Sequence, residues 1–234
     1  MPNYDNEFSN RYDSLTFRDF LNRTYVVVAL GLLISAGFAF IGSFLFPRIP
    51  AGFTLMAVVA SAVLEIGIAI FFSTRLTRME NKTAWICYFL YSAFTGVSLS
   101  FILMAYTAAS VMVAFVSTSV LFACMAIIGY TTKIDTSRFG GMLLGALIAM
   151  IITTLLNVFI FRSGMISTVM CYAGILIFLG LIAYDTQKLR HLYNAGLSNS
   201  MISENLMIYG AFELYLDFIN LFLRLVQIFG KRRD

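Results

Sequence analysis

Three charged residues interrupt the last apolar stretch of the chain, Asn205 to Phe229: Glu213, Asp217 and Arg224. A charged side chain at membrane depth costs from about 3 to more than 10 kcal/mol, so it normally faces protein or water. At about 100° per residue, the polar side chains of this stretch share an arc of roughly 80°. This polar stripe consists of Tyr209, Glu213, Asp217, Asn220, Arg224 and Gln227. We expect it to serve transport or chemistry, with a buried structural salt bridge as the alternative.

The composition indicates a membrane protein. Hydrophobic residues make up 60% of the 234 residues, charged residues make up 12%, and the mean hydropathy is +0.86. This leaves too little polar surface for a soluble domain. Runs of about 20 apolar residues predict transmembrane helices. They lie at Tyr25–Phe46, Phe53–Ser73, Ala84–Met104, Ala108–Tyr130, Gly140–Phe161, Met165–Thr186 and Asn205–Phe229.

These runs predict an all-α integral membrane protein with seven helices and three segments. Residues 1–24 form a polar tail, residues 25–229 the membrane domain, and residues 230–234 a basic tail. The first 24 residues lack the pattern of a cleavable signal peptide, so we expect the first helix to remain as an uncleaved anchor. The connection from Lys188 to Glu204 contains residues typical of turns. They are Asn194, Gly196, Ser198, Asn199 and Ser200.

Lysine and arginine in the short flanks predict a cytoplasmic amino terminus. Ten basic residues lie in the tail and loops on that side, against two, Arg48 and Arg162, in the opposite loops. The carboxyl-terminal Lys231, Arg232 and Arg233 conflict with this rule if all seven helices span. Either the last segment crosses the membrane despite these charges, which we favour, or it is re-entrant and enclosed by other helices.

Several function classes lack the residues they need. His191 is the only histidine and lies in a predicted loop, which excludes a histidine metal site or a serine hydrolase triad within the membrane. No lysine lies inside the apolar runs, which excludes a Schiff base of the retinal type, and the three cysteines have no metal-ligand spacing. We predict no cofactor. The net charge of +4 follows from the loops and does not indicate nucleic-acid binding.

Small residues recur at four-residue spacing on two predicted helices. One stripe is Ser92, Gly96 and Ser100 on the third helix, and the other is Gly141, Gly145 and Ala149 on the fifth. Such spacing is typical of close helix packing in membranes. We expect both stripes to be scaffold.

The remaining ionisable residues at membrane depth form a short set of candidate functional groups. They are Glu65 on the second helix, Asp185 at the end of the sixth, and Glu213, Asp217 and Arg224 on the seventh, with Arg75 and Arg78 flanking the second helix. From spacing alone, Asp185 fits a functional carboxylate and an ordinary interfacial residue equally well.

Two stretches resemble the transmembrane Bax inhibitor motif family in its bacterial branch. They are Gly180-Leu-Ile-Ala-Tyr-Asp-Thr-Gln-Lys-Leu189 and Leu214-Tyr-Leu-Asp-Phe-Ile-Asn-Leu-Phe-Leu223. The similarity includes residues 91–99 and 129–133 and covers nearly all of the hydrophobic chain. It implies a seven-helix bundle with the last helix at its centre. It also implies a pH-sensitive calcium leak, in which Asp185 and Asp217 form a hydrogen-bonded pair and an arginine of the second helix acts as a latch.

The chemistry of such a pair follows from general principles. Two carboxylates within hydrogen-bond reach in a poorly hydrated site do not both ionise at low cost, so they share a proton. Once that proton is lost, the pair repels itself unless a cation binds, and carboxylate oxygens are ligands that calcium prefers. Asp185 and Asp217 are therefore candidate transient calcium ligands.

Two details of this assignment stay open in the sequence. Glu65 matches the family's acidic residue on the second helix, but the spacing does not choose between Arg75 and Arg78 as the latch. Asp217 also lies about 12 residues, or roughly 18 Å, into the last helix, whereas Asp185 lies near the end of its own. Pairing requires that the last helix begins outside the bilayer, or that Glu213 is the nearer partner.

Two other functions compete with a leak. Two membrane aspartates also describe an intramembrane aspartyl protease, but that class carries Gly-x-Gly-Asp at the second acid, and Leu214, Tyr215 and Leu216 precede Asp217 here. The second alternative is a regulator without transport, since bacterial relatives are associated with a membrane-bound ATP-dependent protease. In that case the amino-terminal tail, with Tyr4, Tyr12 and Phe17, is the candidate contact segment.

Overall fold

Seven helices account for nearly all of the structure, a computed structural model that describes residues 16–75, 80–132, 137–198 and 204–233. All seven are long and apolar enough to cross a membrane. Their bounds are α1 Phe17–Leu45, α2 Ala51–Arg75, α3 Asn81–Ala105, α4 Ala108–Thr131, α5 Ser137–Leu156, α6 Gly164–Ser198 and α7 Glu204–Phe229. A short turn, Phe46–Arg48, follows α1, and a π-helical turn, Asn157–Phe161, follows α5. The seven predicted spans are therefore confirmed.

Two of the helices extend beyond their predicted spans. Helix α1 begins at Phe17, and α6 continues through the predicted turn segment to Ser198. The prediction of a loop from Lys188 is therefore wrong for residues 188–198. Buried contacts explain the difference, because Leu189 and Tyr193 are 1% and 6% exposed and Tyr193 packs on Phe17 at 5.4 Å between ring centroids. Such packing overrides local turn propensity.

The described residues group into two compact units that share α6 and α7. The first contains α1, α2, α3, the end of α6 from Arg190, and α7 as far as Tyr215; the second contains α4, α5, α6 as far as Leu189, and α7 from Leu216. Each unit presents many large apolar side chains at its surface, for example Leu33 at 67% exposure in the first and Leu176 at 71% in the second. Lipid is the natural solvent for such surfaces.

Close contact between α1 and α3 organises the first unit. A Cβ atom added to Gly96 would lie 2.6 Å from the backbone oxygen of Ser35, and one added to Gly42 would lie 2.7 Å from Cβ of Ser100. The predicted packing role of the α3 stripe is thus confirmed. The Ser35 hydroxyl also lies 2.7 Å from the Tyr215 hydroxyl, which ties the first half of α7 to this pair.

Helix α7 runs along α3 in the same direction. At its start, the Glu204 carboxylate accepts hydrogen bonds from Trp85 Nε1 at 2.8 Å and from Asn81 Nδ2 at 3.0 Å. Beyond its end, the Arg233 amide donates to the carbonyl oxygen of Ala105 at 2.9 Å. Since Asn81 and Ala105 are the two ends of α3, the 26-residue α7 covers the full length of a spanning helix. This geometry corresponds to full spanning rather than to a re-entrant segment.

Aromatic side chains pack the second half of α7 in the second unit. Phe218 lies 5.7 Å from Phe115 and 5.6 Å from Phe122 between ring centroids, both on α4. The predicted packing role of the α5 stripe is wrong, because a Cβ atom added to Gly141 or Gly145 would meet nothing within 4 Å, and Ala149 is exposed. The stripe of small residues on α3 therefore packs against another helix, whereas the stripe with the same spacing on α5 lies at the surface.

Candidate functional site

The faces of α7 differ in exposure. Of the residues in its most apolar window, 67% are buried, against 11% to 39% in the other helices. Its apolar residues Ile208, Leu214, Leu221 and Val226 are all fully buried. Most of the polar stripe is only half-buried: Tyr209, Glu213, Asn220 and Arg224 keep partial exposure, Gln227 is exposed, and Asp217 is buried. The polar stripe therefore borders partly accessible space, whereas the apolar faces are packed.

Asp185 and Asp217 are both buried in the second unit, at 8% and 5% exposure. Asp185 does not end its helix as predicted, because α6 continues for 13 further residues to Ser198. Asp217 likewise lies 13 residues after Glu204, where α7 begins. Each aspartate therefore lies roughly 20 Å along its helix from the connection between α6 and α7. This is the geometry expected if two neighbouring helices carry the two carboxylates at the same depth. Glu213, nine residues after Glu204, is nearer to the connection than Asp185 is.

Small residues on α4 and α5 bring both helices against α6 beside Asp185. A Cβ atom added to Gly129 would collide with the backbone carbonyl of Ala183, and one added to Gly140 would lie 2.6 Å from the Tyr184 ring. The neighbouring Thr186 is fully buried, and its hydroxyl has no hydrogen-bond partner within the described ranges. The segment that carries Asp185 is therefore closely packed by α4 and α5.

Another carboxylate, that of Glu65, lies in a hydroxyl-lined cluster of the first unit. Ser98 on α3 donates a 2.6 Å hydrogen bond to Glu65 Oε1, and the Ser98 hydroxyl lies 3.1 Å from that of Ser61. Thr95 is 4% exposed and lies one turn before Ser98. We call Glu65, Ser61, Ser98 and Thr95 the Glu65 cluster. A short hydrogen bond to a charged group is among the stronger ones in proteins, so this arrangement fixes the carboxylate in place.

Sequence reasoning found Glu65 but missed its hydroxyl partners. Ser61 and Glu65 are four residues apart on α2, and Thr95 and Ser98 are three apart on α3, so each pair shares one face of its helix. This spacing is the sequence signal that predicts the Glu65 cluster. The stripe of small residues on α3 that contains Gly96 lies on a different face of the helix and packs on α1.

Arg224, near the end of the polar stripe, has weak partners in the second unit. Its guanidinium lies 3.5 Å from Gln227 Oε1 and 3.8 Å from Met150 Sδ. A Cβ atom added to Gly174 on α6 would lie 2.9 Å from Arg224 Nε. No carboxylate pairs with this guanidinium in the described part of the chain. We call Arg224, Gln227, Met150 and Gly174 the Arg224 cluster.

The other predicted site residues contribute less to these groups. Arg75 is the exposed last residue of α2, while Arg78 lies outside the described residues. Asn220 donates a 2.8 Å hydrogen bond to the Leu216 carbonyl oxygen of its own helix. Phe17, a predicted contact for a protease partner, is half-buried against Tyr193 and Arg190, while Tyr4 and Tyr12 lie outside the described ranges. Over those ranges, no group of three metal-ligating side chains comes together.

Comparison with known proteins identifies the family. The sequence model of the family described as "Inhibitor of apoptosis-promoting Bax1" matches residues 17–234. The inner membrane protein YbhL of Escherichia coli K12 is 41% identical over 174 residues, which are 73% of this chain and 73% of the relative. Membrane proteins described as uncharacterized are similar too: one from Streptococcus pyogenes serotype M1 is 35% identical over 215 residues, 91% of this chain and 92% of its own length. With a helical membrane fold, a polar stripe on the last helix and a family match over nearly its whole length, the chain belongs to the Bax inhibitor family.

Proposed function

We propose that this protein is a pH-sensitive leak for cations, with calcium as the preferred ion, in a bacterial inner membrane with a cytoplasmic amino terminus. One observation carries the proposal: α7 is packed on its apolar faces while most of its polar stripe keeps partial exposure. A polar surface at membrane depth that is partly accessible is the usual lining of an ion pathway. The name of the Escherichia coli relative supports the location.

Asp185 and Asp217 are the proposed gate. Both are buried, and they lie at equal distances along α6 and α7 from the connection between these helices. Sharing one proton keeps the pair at a single negative charge, and loss of this proton adds a second charge. The doubly charged pair favours a divalent cation, because carboxylate oxygens are hard ligands. Flux should therefore change with pH as this proton is bound or released.

The remaining charged residues have proposed supporting roles. Glu65, held by Ser98 at 2.6 Å, is the proposed further carboxylate that a passing cation contacts. Glu213 and Asn220 add oxygen atoms along the polar stripe. Arg75 or Arg78 is the proposed latch that neutralises one aspartate of the gate in the closed state.

Ion flux into vesicles tests this function. Purified protein is reconstituted into calcium-free vesicles that contain an indicator dye, and uptake is followed at a series of pH values from acidic to mildly alkaline. We expect pH-dependent uptake by the wild type and loss of the pH dependence in Asp185→Asn and in Asp217→Asn. Uptake no greater than that of empty vesicles at every pH would contradict a leak.

A matched control removes a carboxylate outside the proposed pathway. Glu80 is exposed, directly precedes α3 and lies off the polar stripe. Glu80→Gln should leave both the rate and its pH dependence as in the wild type. If all three variants lose pH dependence together, the effect belongs to the overall charge of the protein and the aspartate gate is wrong.

A further inference from the structure

Lys231, Arg232 and Arg233 follow the last helix as three consecutive basic residues, and we call them the basic tail. All three side chains are exposed. On the predicted orientation they lie on the non-cytoplasmic side, where membrane proteins normally carry few basic residues. Three consecutive basic residues on this side are therefore unusual, and a favourable interaction that offsets this placement is expected.

Hydrogen bonds fix the backbone of the basic tail. In the second unit, the Thr107 amide donates to the Lys231 carbonyl oxygen at 3.0 Å, and the Lys231 amide donates to Ser110 Oγ at 3.0 Å. In the first unit, the Arg233 amide donates to the Ala105 carbonyl oxygen at 2.9 Å. The side chains are thus presented from an ordered backbone, which reduces the conformational entropy lost when a partner binds.

The basic tail lies at the level where the lipid surface begins. Ala105 and Ala108 are the ends of two membrane helices, and Ser110 is in the first turn of α4. Met112 and Val113, two and three residues after Ser110, are 63% and 52% exposed, as expected of side chains in contact with lipid. Headgroups therefore lie within reach of lysine and arginine side chains that start from this level.

No acidic residue neutralises the basic tail from the neighbouring described helices. Residues 98–116 and 218–233 contain neither aspartate nor glutamate. Asp234 follows the tail in the sequence and lies outside the described residues. The tail therefore keeps a net positive charge even with Asp234 counted.

We propose that the basic tail binds the phosphate groups of anionic lipids in the adjacent leaflet. Guanidinium groups match phosphate oxygens with two parallel hydrogen bonds, and the lysine adds a third positive charge. Attraction of this kind is worth on the order of fivefold in affinity for each basic side chain near an anionic surface. It also holds the end of α7 at the membrane surface.

Native mass spectrometry of the purified full-length protein with added phosphatidylglycerol tests the proposal. The variant Lys231→Gln/Arg232→Gln/Arg233→Gln should bind the tightest phosphatidylglycerol at least about fivefold more weakly than the wild type, the effect of one lost charge. The control Arg18→Gln/Lys82→Gln/Arg138→Gln removes the same charge from exposed positions elsewhere and should change this affinity less than the tail variant does. Equal losses in both variants, or no loss in the tail variant, would overturn the proposal.

A second variant tests the fixed backbone and keeps every charge. Ser110→Ala removes the acceptor of the Lys231 amide, so we expect weaker phosphatidylglycerol binding with the full charge retained. Neutral phosphatidylcholine should not replace the bound phosphatidylglycerol, and neither should excess inorganic phosphate, which lacks the lipid's second anchor in the bilayer. Displacement by inorganic phosphate would show a soluble-anion site and contradict lipid recognition.

Discussion

Glu65 and Arg224 are both charged residues on membrane helices, but their surroundings differ. Glu65 accepts a 2.6 Å hydrogen bond from Ser98. Arg224 has only long contacts in the described part of the chain, at 3.5 Å to Gln227 and 3.8 Å to the thioether of Met150. A charge at depth is tolerated when hydrogen bonds satisfy it. Glu65 meets that condition through a side chain, whereas Arg224 is held mainly by packing.

If the protein is a cation leak as proposed, the difference predicts separate roles for the two clusters. A carboxylate with a fixed donor keeps one position and can offer its other oxygen to a cation. A guanidinium with weak acceptors is a fixed positive charge that opposes cation entry, as arginine does in selective pores. On this interpretation the Glu65 cluster attracts cations and the Arg224 cluster limits them.

The largest expected effect comes from removing the donor in the Glu65 cluster. In Ser98→Ala, the Glu65 carboxylate loses its short hydrogen bond, and the loss of a partner of a charged group costs about 1.5–3 kcal/mol. We expect the free energy of unfolding in detergent micelles to fall by that amount.

The control for this change is Ser119→Ala on α4. The Ser119 hydroxyl donates to the Phe115 carbonyl oxygen of its own helix at 2.9 Å, so its removal leaves no charged group without a donor. Its unfolding free energy should stay near that of the wild type. Similar losses of unfolding free energy in the two variants would mean that the Glu65–Ser98 hydrogen bond stabilises the protein no more than an ordinary hydroxyl–carbonyl bond does. Glu65 would then not be held more firmly than Arg224.

Sequence patterns predicted the helices and the polar stripe better than they predicted helix contacts. Apolar runs determine spans because lipid requires them, and the charges at depth on α7 predicted a helix with one polar, partly exposed face. The stripes on α3 and α5 show the limit. Gly96 packs on Ser35, while Gly145 faces open space, because spacing reveals a surface that permits close approach but not whether a neighbour is present.

The same limit explains the errors around the candidate site. Asn194 and Gly196 favour turns locally, yet α6 continues past them, because the burial of Leu189 and Tyr193 outweighs that preference. This extension gives Asp185 and Asp217 equal distances from the helix connection and removes the mismatch in depth that the sequence implied. Ser98 was missed since the rotation of α3 relative to α2 depends on contacts distant in sequence.

A smaller effect is expected from filling the space beside Arg224. Gly174→Ala places a methyl group 2.9 Å from Arg224 Nε and 3.1 Å from Met150 Sδ. Overpacking costs about 1–3 kcal/mol, and the better helix propensity of alanine returns up to about 1 kcal/mol. The matched variant Gly145→Ala has open space and gains propensity alone. Because the propensity gain is common to both variants, we expect the free energy of unfolding of Gly174→Ala to be about 1–3 kcal/mol below that of Gly145→Ala. Equal values would mean that packing does not hold Arg224.

The smallest stability change is expected for Arg224→Met, and it separates the two clusters most directly. Because the substitution removes a charge without a carboxylate partner in the described residues, the free energy of unfolding should change by less than about 1 kcal/mol or increase. Cation flux in the vesicle assay should rise, since a positive charge on the proposed path is lost, whereas Arg224→Lys should keep the wild-type rate. A stability loss as large as that of Ser98→Ala would show that the guanidinium is paired as firmly as Glu65 is.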